Sequence, residues 1–121
     1  MITFIREQQS EIKEKKSKFL GFSFFVKSKA EVKEKVEKLK KEYKDAQHIV
    51  YAYRIENHNI KEKFYNGKEP INSAGKPLLY LLQKKSLVNC LIVVIRYWGG
   101  IKLGRGALIR VYTKAAKDVI K

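Results

Sequence analysis

Residues 91–110, LIVVIRYWGGIKLGRGALIR, constrain the fold more than any other stretch of the chain. The run Leu91-Ile92-Val93-Val94-Ile95 has no polar position, so a strand made from it needs cover on both faces and belongs inside a sheet. Arg96, Tyr97 and Trp98 end that run, and Gly99, Gly100, Gly104 and Gly106 follow. From residue 104 or 105 to residue 120, Ala107, Leu108, Val111, Tyr112, Ala115 and Val119 form the apolar face of a helix. A buried strand, a glycine turn and a helix start are therefore expected. Three of the five arginines, Arg96, Arg105 and Arg110, fall at this junction.

The rest of the chain supplies partners for that strand. Residues 18–26 (KFLGFSFFV) read as a strand with one buried face, and residues 10–16 as a charged edge strand joined to it through Lys16-Ser17. Residues 28–44 read as a surface helix. Ser28 and Glu31 form a capping box, Val32, Val36, Leu39 and Tyr43 make one apolar stripe, and Glu31–Lys35, Glu34–Lys38 and Glu37–Lys41 stand at i, i+4. In residues 47–55, Ile49, Tyr51, Tyr53 and Ile55 face one way, and His48, Val50, Ala52 and Arg54 the other. A turn at Asn57-His58-Asn59 leads to a short return strand over residues 60–65. Ser73 is the expected N-cap of a helix to about residue 84, with Pro77 in its first turn, where the missing N–H does least harm. The order β-β-α-β-β-α-β-α predicts an α+β sandwich, a mixed sheet with helices packed on it, as one domain over residues 1–121.

Charge and cysteine content narrow the functional classes. Of 121 residues 45% are hydrophobic, enough for an ordinary core. The single Cys90 excludes an internal disulfide and a multi-cysteine zinc site. The N-terminus lacks the apolar segment of a signal peptide and no run is long enough to span a membrane, so a cytoplasmic location is expected. The net charge is +15, which suits an anionic partner but also fits lysines on solvated faces. Its distribution says more. Residues 1–69 carry seventeen basic and eleven acidic side chains, and residues 70–121 carry ten basic and one acidic, Asp118. The field of the C-terminal part is thus not locally neutralised.

The glycine junction is the leading candidate site. Gly99, Gly100, Gly104 and Gly106 let backbone N–H groups converge at a helix N-terminus, and Lys102 and Arg105 add full charges, an arrangement suited to phosphate. The spacing matches neither the nucleotide-hydrolysing P-loop nor the dinucleotide loop, and the glycines can equally serve a sharp turn alone. Arg96 and Trp98 share a face. Either Arg96 grips phosphate beside an aromatic stacking platform, or it caps the sheet end by pairing with a carboxylate such as Glu69. His48 reads as a strand-end hydrogen-bonding residue and His58 as a turn residue. Neither has metal-ligand spacing, and Glu69 stands without an acidic partner. No catalytic residue, metal or cofactor is expected.

These residues carry a resemblance. K-K-S-K-F-L at residues 15–20, A-x-H at 46–48, E-P-x-x-S-A-G-K-P-L-L at 69–79 and V-V-I-R-Y-W-G-G-I-K-L-G-R-G-A-L-I-R-V-Y at 93–112 strongly resemble the Impact family, whose bacterial members are YigZ-like. The resemblance covers nearly the whole chain. It implies the fold shared by the second domain of a small-subunit ribosomal protein and domain IV of elongation factor G, whose members commonly touch RNA. It implies a surface motif of His48, Glu69, Pro70, Gly75, Arg96, Gly99, Gly100, Gly104, Gly106 and Arg110. It also implies a link to translation, in eukaryotes by restraining a stress kinase through binding its activator. The sequence departs from the family where Asn66, Gly67 and Lys68 replace an acidic pair and a glycine, and where Asn72 replaces a glycine. Bacterial members usually carry a second, ferredoxin-like domain, and none is expected here.

The resulting expectation is a non-enzymatic module that binds RNA or a ribosome-associated surface through the basic glycine-rich junction. The alternatives are a protein-binding regulator of translation control without nucleic-acid affinity and, less favoured, an enzyme acting on a phosphorylated small molecule.

Overall fold

The computed structural model describes residues 1–4 and 6–121. In chain order its elements are β1 (Ile2–Thr3), β2 (Gln9–Glu14), β3 (Ser17–Phe25), α1 (Lys29–Glu42), β4 (His48–Asn57), β5 (Asn59–Tyr65), α2 (Gly75–Lys84), β6 (Leu87–Val88), β7 (Cys90–Tyr97) and α3 (Arg105–Lys117). Five strands form one sheet in the order β2-β3-β7-β4-β5, with the apolar run of residues 91–95 in the central strand. Every pairing in this sheet is antiparallel. Parallel pairing is confined to the separate two-stranded β1–β6 patch, so the expected mixed sheet is corrected: the sheet on which the helices pack is wholly antiparallel.

The period-2 alternation divides the core into two layers. Phe19, Val50, Ala52, Cys90, Ile92 and Val94 point to one face and pack with Leu78, Leu82, Leu108, Val111 and Tyr112 of α2 and α3. Phe22, Tyr53, Ile55, Leu91, Val93 and Ile95 point to the other and pack with Val32, Val36 and Leu39 of α1. β7 is covered on both sides, which explains why its sequence has no polar alternation.

Local signals account for most element ends. Ser28 Oγ accepts the Glu31 N–H at 3.2 Å, and Glu31 Oε1 accepts the Lys27 N–H at 2.6 Å, so the capping box starts α1. The α1 ion pair is Glu37–Lys40 at 3.7 Å, one turn position short of the i, i+4 partner. Two expectations are corrected. The β2–β3 turn is Lys15-Lys16 rather than Lys16-Ser17, because Glu14 pairs with Ser17. The N-cap of α2 is Ala74 rather than Ser73. Ser73 is buried and its hydroxyl donates to the Pro70 carbonyl at 2.6 Å. The capping oxygen comes from afar: Asn66 Oδ1 accepts the N–H groups of Ala74 and Gly75 at 3.0 and 2.8 Å. Pro77 sits in the first turn of α2 as expected.

Candidate functional site

The sheet register sets the site. Arg96, the penultimate residue of β7, lies opposite Phe19 on one side and His48 on the other, all three on the face covered by α2 and α3. Above them comes Glu69 from the β5–α2 loop and Tyr112 from α3. Arg96 Nη1 donates to both Glu69 oxygens, at 2.9 and 2.8 Å. Its Nη2 and Nε donate to Ser17 Oγ at 3.2 and 3.4 Å, and the guanidinium stands 5.3 Å from the Phe19 ring centroid. The Tyr112 hydroxyl donates to Glu69 Oε2, and its ring meets Phe19 edge-on at 5.3 Å. Arg96 and Glu69 are only 4% and 8% exposed. A buried ion pair is favourable only when its remaining hydrogen-bonding groups are satisfied, and Ser17 and Tyr112 do that here.

This geometry corrects one expectation. Of the two readings of Arg96, the structure adopts the sheet-end pair with Glu69. All three guanidinium nitrogens donate inside the protein, so Arg96 is not an open cation for a ligand. His48 borders the same carboxylate, with Nε2 3.9 Å from Glu69 Oε1, too long for a hydrogen bond. Its buried Nδ1 has no partner among the described residues. Burial lowers the His48 pKa; Glu69 opposes this, and Arg96 and Lys68 add to it. Burial, then the Glu69 charge and hydrogen bond, raise the Tyr112 pKa well above the ordinary phenol value.

The glycine junction lies directly above the pair. Gly99 packs on the β2–β3 turn so closely that a Cβ would lie 1.9 Å from the Lys16 carbonyl oxygen, and Gly100 has φ +91°. These two glycines serve the turn. Gly104 and Gly106 are different, because nothing stands within 4 Å of a Cβ built at either. Gly104 is the N-cap of α3, with no side-chain cap and no acidic residue in the first turn. The N-terminal amides of α3 are thus left open, with the helix dipole behind them. Lys102 and Arg105 are exposed beside them. Arg110 is exposed too, but it lies about 140° around the helix from Arg105, so the structure does not bring it to the junction.

Trp98 is 52% exposed and yet held. Its backbone N–H donates to Gln47 Oε1 at 2.9 Å and its indole Nε1–H to the Ile101 carbonyl at 3.1 Å. Trp98, Pro70, Leu103, Leu108 and Lys102 wall a shallow cleft of about 260 Å³ whose floor is His48, Glu69 and Arg96. Gly75 stands apart from this cleft. It opens α2, and a Cβ there would lie 2.8 Å from the Tyr65 carbonyl oxygen.

Sequence reasoning missed Ser17, Asn66 and Gln47, and placed Tyr112 in the core without its hydroxyl's role. Ser17 had a readable signal, a small polar residue two positions before Phe19 on the strand's buried face. Among the described residues no three of His, Cys, Asp and Glu group as metal ligands. No helix there is long and apolar enough to cross a membrane.

Comparison with known proteins places the chain. The Impact N-terminal domain model matches residues 15–120. The IMPACT family member YvyE of Bacillus subtilis is 38% identical over 110 residues, covering 91% of this chain and 51% of that protein. A crystal structure of a hypothetical protein matches with TM-score 0.89 at 28% identity, over 94% of this chain and 56% of that one. The two-domain translational regulator Yih1 matches with TM-score 0.57 at 22% identity, over 95% of this chain and 46% of that one, a likeness of fold. The chain spans about half the length of these relatives. With the matched region running from the β2–β3 turn through α3, the chain belongs to the Impact family through its N-terminal domain.

Proposed function

We propose that this domain is a non-enzymatic regulatory module of translation that acts in the cytoplasm and binds RNA or a ribosome-associated surface through the start of α3. One observation carries the reading. An uncapped helix N-terminus without an acidic residue in its first turn lies between exposed Lys102 and Arg105 and beside an exposed, hydrogen-bonded Trp98. Open amides and cations suit phosphate oxygens, and a fixed indole suits an unstacked base. The translation link draws support from Yih1, described as a translational regulator.

A second reading, docking of a protein partner, draws on different atoms. Ile71 and Ile101 are exposed large apolar side chains, as is Trp98, and docking to a protein would cover them. A catalytic reading draws less support, because Glu69, the carboxylate in the cleft beside the junction, is committed to Arg96 and Tyr112.

The deciding measurement is a filter-binding titration with single-stranded RNA at two salt concentrations, comparing wild type with Lys102→Ala/Arg105→Ala. Each lost phosphate contact lowers the salt slope by about 0.7 on single strands, so the double variant loses about 1.4. Equal affinity and slope in both proteins would remove the junction from the reading. Arg96 is left intact because its loss acts on the fold.

A further inference from the structure

Lys15 and Lys16 are the two central residues of the β2–β3 turn. Both hold positive φ, 46° and 68°. A two-residue turn of this hand suits Asn-Gly, and lysine there is a strained choice. The packing of the hairpin does not ask for lysine. Both side chains are exposed, and among the described residues neither joins an ion pair, whereas the adjacent Lys18 pairs with Glu11 at 3.8 Å. The position of the tip is fixed, because the Lys16 carbonyl packs on Gly99 at the head of the glycine loop. Two lysines outside every ion pair among the described residues therefore stand on a tip anchored to the loop that carries Trp98, Lys102 and Arg105. Lysine kept at positive φ on an exposed tip, where its charge joins no ion pair among the described residues, points to a binding role for the side chains.

We propose that Lys15 and Lys16 are phosphate-contacting residues, and that a single-stranded RNA runs from the hairpin tip across Trp98 to the start of α3. This rests on the reading of the junction as an RNA contact and extends it to a second element. Single-stranded rather than duplex RNA is the partner, because an exposed indole can stack only a base that is free of its neighbours.

The test replaces the tip by the residues its geometry suits, Lys15→Asn/Lys16→Gly, and measures binding of a labelled 20-nucleotide oligouridylate across a salt series, with the melting temperature recorded alongside. The expected result is a salt slope lower by about 1.4, two contacts at about 0.7 each, in a protein whose Tm equals or exceeds that of wild type. An unchanged slope, with wild type still binding in a salt-dependent way, overturns the role of the tip and leaves the junction standing. A lower slope with a Tm below wild type also overturns it, because the lysines would then be structural. Absence of salt-dependent binding by wild type overturns both proposals.

Discussion

Arg96 Nη1 stands 2.9 and 2.8 Å from the two carboxylate oxygens of Glu69, joining the end of the central strand to the loop that leads into α2. Both residues are buried, so neither can return to water when the other is removed. Arg96→Ala or Glu69→Ala is expected to cost about 3–5 kcal/mol, the range for an orphaned buried charge. Urea denaturation measures it. Arg96→Met/Glu69→Leu/Tyr112→Phe, which removes the charges and their attendant donor together, is expected to recover most of that loss. A cost under about 1 kcal/mol for either single variant would mean that the pair is solvated.

Tyr112→Phe isolates one hydrogen bond. The ring keeps its edge-on contact with Phe19 while Glu69 Oε2 loses a donor. A buried acceptor left short of a donor costs about 1–3 kcal/mol. The same denaturation experiment reads it. A neutral result would show that water replaces the phenol.

His48 makes stability depend on pH. Its folded pKa lies below the ordinary 6.5, chiefly through burial, with Glu69 acting against and Arg96 and Lys68 acting with the shift. The unfolded chain therefore binds more protons than the folded one below pH 6.5. The stabilisation is complete above the unfolded pKa and is lost as pH falls from there through the folded pKa. His48→Gln is expected to flatten the decline in unfolding free energy on the acid side of pH 6.5. Wild type and variant falling in parallel between pH 7.5 and 5.5 would assign that slope to other groups.

The main sheet and all three helices were legible in the sequence because their signals are local. The unbroken apolar run of residues 91–95 marks the central strand, and the alternation in residues 47–55 assigns each side chain to a face. What escaped was set by atoms distant in sequence. The start of α2 depends on Asn66, eight and nine residues before the N–H groups it caps. The β1–β6 pair joins two strands of two residues each, too short to show a period. For Arg96, sequence left pairing and ligand binding both open. The choice was made by strand register, which brings Phe19 and His48 beside it, and by a loop that delivers Glu69.

The four glycines of the junction are expected to separate by function. Gly99→Ala forces a methyl group against the Lys16 carbonyl oxygen at 1.9 Å, and backbone rather than a flexible side chain must move. A destabilisation above about 1 kcal/mol is expected, as for overpacking. Gly106→Ala meets nothing within 4 Å and lies in the first turn of α3, so it is expected to stabilise by up to about 1 kcal/mol. Thermal or urea unfolding of the two variants checks the contrast, which fails if both shift the same way.

Gly106→Glu then sets stability against binding. Position 106 is the second residue of α3, where a carboxylate interacts favourably with the helix dipole, by about 0.3–1 kcal/mol, and where no acidic residue stands in the native chain. The same carboxylate would face any phosphate approaching the open amides, between Lys102 and Arg105. If the start of α3 contacts RNA, this variant melts higher than wild type yet binds single-stranded RNA more weakly, with the difference shrinking as salt rises, since screening weakens repulsion between exposed charges. If the glycines serve the turn alone, the gain in melting temperature comes with unchanged binding. The two outcomes are read from one preparation by unfolding and filter binding, and loss of fold cannot imitate the first of them, because the variant expected to bind less is the one expected to be more stable.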